Sequence, residues 1–314
     1  MHATEPIPTP SPALRVPRPG RAFLVVLAMA LLHAIAVWRY GGLFWGDHGR
    51  WLFLVTRFVA GDVPYRDFTF TNPPLALWVV GGLAHLFGTS YGALSAIMCG
   101  FYLLNFAVFV LALRRLVPDI VLPIAAPSVL FSVALACRHG VTLPAGTDSP
   151  AGPIGFLCLQ LAAWLVLETI ESPMPGRSAM VGLFLGLTIL SKHDFWPPAI
   201  LLAVASVMML VRRDAPTRTI AAGIAAFVAT LAIGIGITVA HAGVAPVAAM
   251  LLGSGRALEI AVRATPSLER MTAELASTSA LILTAVTALW LCLAIRDRTA
   301  ARWAGAMMLI FLAT

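Results

Sequence analysis

Charge is what this chain has least of. Asp, Glu, Lys and Arg make up 11% of its 314 residues, against 60% hydrophobic residues, and mean hydropathy is +0.90. A soluble domain carries roughly 25% charged and 45–50% apolar residues, so a water-facing globule is excluded. Cysteine is also scarce. Cys99, Cys137, Cys158 and Cys292 are scattered without metal-ligand or redox spacing and read as small apolar fillers. The formal net charge of +7 does not indicate nucleic acid, because the Lys and Arg residues fall in links between apolar runs and form no basic stripe.

What is present is a series of long apolar runs, and lipid is the solvent that accommodates them. A helix of about 17–25 apolar residues crosses a hydrocarbon core, and backbone satisfaction in lipid admits few alternatives. The fold class expected is all-α and polytopic. Residues 1–20 are polar and proline-rich and lead through Arg15, Arg18 and Arg21 into a first span at 22–39. They read as a disordered cytoplasmic tail, with a signal peptide cleaved near Ala34-Ile35-Ala36 as the alternative. Further spans are expected at 91–113, 119–137, 153–170, 179–191, 195–211, 219–240 and 275–295. A last run starts at Trp303 and stops short at Thr314, as in a piece of a longer protein.

The apolar stretch 73–88 decides the topology. If it lies flat at the outer surface, Arg114–Arg115, Arg177, Arg212–Arg213, Arg296 and Arg298 join the basic N-terminus on the cytoplasmic side. If it crosses, these clusters flip outward, against the positive-inside bias. The flat arrangement puts 40–90, 138–152, Ser191–Asp194 and 241–274 outside.

The first of these segments is dense in polar and aromatic residues. It reads Phe44-Trp45-Gly46-Asp47-His48-Gly49-Arg50-Trp51, then Gly61-Asp62-Val63-Pro64-Tyr65-Arg66-Asp67-Phe68, then Thr71-Asn72-Pro73-Pro74-Leu75. Residues 51–60 carry the apolar period of a short amphipathic helix, and the aromatic density suits a membrane–water interface. Asp47 has two readings, a helix N-cap or a reactive acid. Arg50, Arg57 and Arg66 read singly as side chains reaching toward water. Together on the outer face they run against the positive-inside bias, and a bound phosphate would explain them. A second outer segment brings Asp148 immediately before a span, again as cap or acid. The third, Ser191-Lys192-His193-Asp194, places charge between two short apolar runs, which is costly unless it faces water. Carboxylates at Asp47, Asp148 and Asp67 with cations at Arg50, Arg66 and Lys192 suit a reaction at the membrane surface. A carboxylate can take a proton from an acceptor, cations can neutralise a departing phosphate, and paired acids can hold a divalent cation.

These motifs, in this order, resemble the first outer loop of GT-C superfamily glycosyltransferases, closest to the bacterial protein mannosyltransferase-like and aminoarabinose transferase-like branch (family 39-type). Thr147-Asp148-Ser149-Pro150 resembles that branch's second acidic loop, and Gly186-Leu187-Thr188-Ile189-Leu190-Ser191-Lys192 resembles its later Gly-to-Lys stretch. The resemblance spans residues 20–215. It implies a GT-C-like transmembrane domain over 21–314, transfer of a sugar from a polyprenyl-phosphate donor, and a lipid, glycan or protein acceptor. The reaction would occur at the periplasmic face of a bacterial-type inner membrane. Asp47 would be the catalytic base or a metal-associated carboxylate, and Asp148 a second active-site acid, the two sharing a divalent metal ion. Arg50, Arg66 and Lys192 would contact the donor phosphate. The chain departs from the pattern at His48, where the family often has Glu, and at Asn72-Pro73-Pro74, where an acidic or histidine residue precedes the prolines. A multi-span transporter or lipid flippase is the alternative. It would show internal repeats and broken spans in matching halves, and no repeat is visible.

Overall fold

The computed structural model describes residues 47–116 and 150–251, together with Leu24, Ala28 and Leu31. The described chain is all-helical, with 82% of it in helix and no strand among the described residues. Two short helices come first, α1 (Asp47–Val59) and α2 (Leu75–Phe87), then the long α3 (Tyr91–Leu116). After the undescribed stretch come α4 (Ala151–Glu171), α5 (Pro175–Ile189), a 3-10 turn (His193–Phe195), α6 (Trp196–Arg212) and α7 (Thr217–Ala242). Residues 244–251 are again helical.

Among the described residues, four helical segments are long and apolar enough to cross a membrane: Tyr91–Leu111, Ala151–Glu171, His193–Arg212 and Thr217–Ala242. They coincide with the expected spans at 91–113, 153–170, 195–211 and 219–240. The expected spans 119–137 and 275–295, the run from Trp303, and nearly all of 22–39 lie outside the described residues, as does the tail 1–20. The expected span at 179–191 takes a different form. Helix α5 has 15 residues, about 22 Å at 1.5 Å per residue, which is short of a hydrocarbon core of about 30 Å. It is sheltered instead by α4 and α7, with Val181, Leu185 and Thr188 buried.

The α5–α7 seam is built from small residues. A Cβ placed on Gly182 would strike the Gly223 carbonyl oxygen and come within 2.9 Å of the Phe227 amide nitrogen, and one on Gly186 would meet Thr230 Cβ at 2.7 Å. The Gly182-xxx-Gly186 spacing lets the two backbones touch, which is how helices associate where lipid removes the hydrophobic drive. Around the rest of α7, Ile224, Val228, Ile233 and Ile237 are exposed, as on a lipid-facing surface.

Helices α1 and α2 sit at one end of the bundle. Trp51, Leu54 and Val55 of α1 and Ala76, Leu77, Val80 and Ala84 of α2 recur at helical spacing. They pack with Leu94 and Ile97 of α3 and with Ala151 and Ile154 of α4. Both ends of α2 stay at that end. Its first amide donates to Leu190 O at 2.9 Å, and its last residues lead into the start of α3. The stretch 73–88 therefore does not traverse the bundle. At 13 residues it spans about 20 Å. Gly61 (φ +98) stops α1, with the Asp62 amide donating back to Arg57 O at 3.0 Å in a glycine-terminated cap.

The other end is tied by arginines. Arg177 Nη1 lies 3.9 Å from Glu168 Oε2, both side chains almost fully buried, and Arg213 Nη1 donates to Ile170 O at 3.0 Å. The described parts of the segments expected outside thus gather at one end, and Arg177 and Arg212–Arg213 gather at the other. A cysteine at Thr89, in a chain whose four native cysteines are replaced, is expected to react with a membrane-impermeant maleimide added outside intact cells. Labelling only after permeabilisation would overturn the outward assignment of this end.

Candidate functional site

At the α1–α2 end, the segment 61–72 is a self-bonded loop. The Val63 amide donates to Asp67 Oδ2 at 2.7 Å, while Asp67 and Tyr65 amides donate to Val63 O and Phe68 O at 2.8 and 3.0 Å. Tyr65 sits at φ +69, a conformation costly for a non-glycine residue and held only when surroundings over-determine it. Its hydroxyl donates to Asn72 O at 2.6 Å. Its ring meets Phe70 at 5.6 Å, and Phe70 meets Trp51 edge-on at 5.6 Å. Burial pushes the Tyr65 hydroxyl above its ordinary range, so it serves as a fixed donor.

Two arginines, Arg57 at the end of α1 and Arg66 in the loop, are occupied by neighbouring acids. Arg57 Nε bonds Asp62 Oδ2 at 2.5 Å and its guanidinium lies 5.2 Å from the Phe68 ring centre. A half-exposed pair of this kind contributes about 1 kcal/mol at most. Arg66 grips Asp67 through two bonds of 2.9 Å. The Arg66 guanidinium and then the Val63 amide hold the Asp67 carboxyl down at about 2. Asp67 is therefore a structural carboxylate rather than a proton acceptor near neutral pH. Arg66 is exposed, and a phosphate would have to share it with Asp67.

Arg50 points differently. Its Nη2 donates to Thr71 Oγ1 at 3.2 Å. Thr71 lies four residues before Leu75, whose amide holds Leu190 O, and Lys192 lies two residues beyond Leu190. Arg50 and Lys192 thus attach to the same joint between α2 and α5. Lys192 Nζ pairs with Asp194 Oδ2 at 2.5 Å, the lysine one-third exposed. The start of α4 enters this joint too. A Cβ on Gly155 would strike Ser191 Oγ and reach within 2.6 Å of the Phe195 ring, so only glycine lets α4 approach the 191–195 link.

Asp47 is the first described residue of α1, within the helix rather than at a cap, and its backbone alone is described. Carboxylates are favoured in a first helical turn by the exposed amides there. Asp148 lies outside the described residues. Pro150 occupies the flanking position of α4, so the N-cap reading of Asp148 does not hold. Of the expected set, the structure gathers the starts of α1 and α4, Arg50 and Lys192 at one end, and puts Arg66 on the loop between α1 and α2. The two carboxylates expected to share a divalent cation have no described side-chain positions.

Three features were not read from the sequence. The Arg57–Asp62 pair follows from a five-residue spacing across the Gly61 stop. Residues 244–251, expected within an outer loop, form a helix whose Val247 and Met250 are buried and pack with Val63 and Tyr65; the apolar period after Gly243 was its signal. The third is the environment of His193, expected only as one member of the charged 191–194 link: its Nε2 is buried and unpartnered among the described residues. A small cavity at the arginine-tied end, lined by Thr169, Ser178 and Ser206 among apolar residues, offers little chemistry. Thr169 and Ser206 hydroxyls already bond carbonyls of their own helices.

No protein-family model matches the chain, and neither a curated protein nor a solved structure matches it.

Proposed function

We propose that this chain is a GT-C-like glycosyltransferase that moves a sugar from a polyprenyl-phosphate donor to a lipid, glycan or protein acceptor at the outer membrane face. The single observation that carries the proposal is the joint at Leu75–Leu190. Through it, segments far apart in sequence that hold Arg50, the start of α4 and Lys192 meet beside the helix that Asp47 begins.

In this mechanism Asp47 takes the proton of an acceptor hydroxyl or amine as that atom attacks the anomeric carbon. The bond between the anomeric carbon and the phosphate oxygen breaks, and its electron pair stays on the phosphate. Lys192 and Arg50 stabilise the charge that grows there, with Arg66 available at the rim once it releases Asp67. Asp148 is the second acid of the site, two residues ahead of Pro150 where α4 approaches the joint. The transporter reading gains nothing from the helices. Among the described residues the middles of the spans carry amides, Asn105 and Gln160, and the ion pairs lie at the two ends.

The test is incubation of the full-length protein in lipid nanodiscs with a panel of polyprenyl-phosphate sugars and membrane-extracted acceptors, following release of polyprenyl phosphate. At least one donor is expected to turn over. Inertness toward the whole panel, with the protein folded, would sink the proposal.

A further inference from the structure

The link between α5 and α6 accounts for nearly all of its polar groups. The Ser191 hydroxyl donates to Thr188 O at 2.7 Å, Lys192 pairs with Asp194, and the Trp196 indole N–H donates to Ile189 O at 2.8 Å. His193 is the exception. Its Nε2 is buried and has no hydrogen-bond partner among the described residues. The ring is held in place all the same: it lies 4.9 Å from the Trp196 ring, tilted by 48°, and Trp196 is itself fixed by its carbonyl bond. A buried ring nitrogen without a partner costs stability, and such groups in native proteins call for an explanation. Phenylalanine would fill the same space against Trp196 without that cost.

We infer that His193 Nε2 donates a hydrogen bond to an oxygen of a phosphate group bound beside Lys192. This extends the donor-phosphate contacts proposed above and rests on that reading. The neighbours offer no free acid to a cation. Lys192 precedes His193, its ammonium one-third exposed. The elements packed on the link contribute a glycine from α4 and the Leu75 amide from α2, neither of them charged. Asp194 is the one acid in the link, and Lys192 already neutralises it. The imidazole can donate from Nε2 in its neutral or charged form, so the contact requires no titration.

The side-chain amides separate the two ring nitrogens. Glutamine places its NH2 near the site of Nε2, whereas asparagine reaches only the site of Nδ1. Binding of polyprenyl phosphate would be measured on full-length protein in nanodiscs for wild type, His193→Gln, His193→Asn and His193→Phe. Melting temperatures would be recorded alongside. His193→Gln is expected to bind within about threefold of wild type. His193→Asn and His193→Phe should bind about tenfold more weakly, the loss of one hydrogen bond to a charged group, with the melting temperature of His193→Phe no lower than that of wild type. Inorganic phosphate is the second probe. If it competes in wild type and loses that ability in His193→Phe, the phosphate alone is recognised; if it does not compete, the lipid-borne form is required. His193→Phe binding polyprenyl phosphate as tightly as wild type would overturn the inference and leave the glycosyltransferase proposal standing. Wild type failing to bind polyprenyl phosphate at all would overturn both.

Discussion

Replacing Gly182 by leucine is expected to part α5 from α7 and to lower the melting temperature in detergent by roughly 6–12 °C. The argument is steric. Any Cβ at Gly182 collides with the Gly223 carbonyl oxygen and crowds the Phe227 amide. These are backbone atoms of a regular helix, so no rotamer change relieves the clash and the helices must separate. Overpacking commonly costs about 1–3 kcal/mol, and the upper end applies where backbone is struck. With about 2–4 °C of melting temperature per kcal/mol for a domain of this size, the stated shift follows. Gly236→Leu is the control. It lies on α7, the other helix of the seam, but nothing stands within 4 Å of its added Cβ, so a leucine there should be tolerated. Equal losses from the two substitutions would refute the close seam. Because α5 leads directly into Leu190 and Lys192, Gly182→Leu should also weaken any activity of the joint in proportion to the helix displacement.

The second large effect concerns chemistry rather than packing. Asp47→Asn is expected to lower sugar transfer by about 10²–10⁴-fold, the range for removing a positioned general base. Expression, membrane insertion and melting temperature should not change. The amide is nearly isosteric with the carboxylate, and an asparagine at the start of α1 leaves the helix intact, at the cost of a few tenths of a kcal/mol of charge–dipole attraction. Binding of the polyprenyl-phosphate donor should survive, since the cations assigned to the phosphate are elsewhere. A loss confined to binding would place Asp47 among the donor contacts instead.

Much of the fold was legible because the signals were long. Runs at 91–113, 153–170, 195–211 and 219–240 are apolar over lengths that only a helix in lipid uses, and their helices end within a few residues of those bounds. The charge pattern, together with the length of the stretch and its leading double proline, kept 73–88 out of the membrane-crossing set. Helix α2, with both ends at one end of the bundle, agrees with that topology. Short-range polar partnering was less legible. Arg57, Arg66 and Lys192 looked like free cations, yet each has an acid within five residues of it in sequence and bonds to it. A periodicity argument sees faces, and these pairs form across turns. The Gly182-xxx-Gly186 seam was present in the letters but carries meaning only once Gly223 and Thr230 are seen opposite it. The 191–194 link was visible as an oddity, but its histidine gained significance only from the partners taken by every group around it.

The central claim is transfer of sugar from a lipid-linked phosphate with Asp47 at the reacting atoms. The most direct measurement is release of polyprenyl phosphate from a polyprenyl-phosphate sugar by the full-length protein in nanodiscs, wild type and Asp47→Asn side by side. The account predicts acceptor-dependent release by wild type and release at background by Asp47→Asn, with both proteins equally folded. Release at the wild-type rate by Asp47→Asn would contradict it.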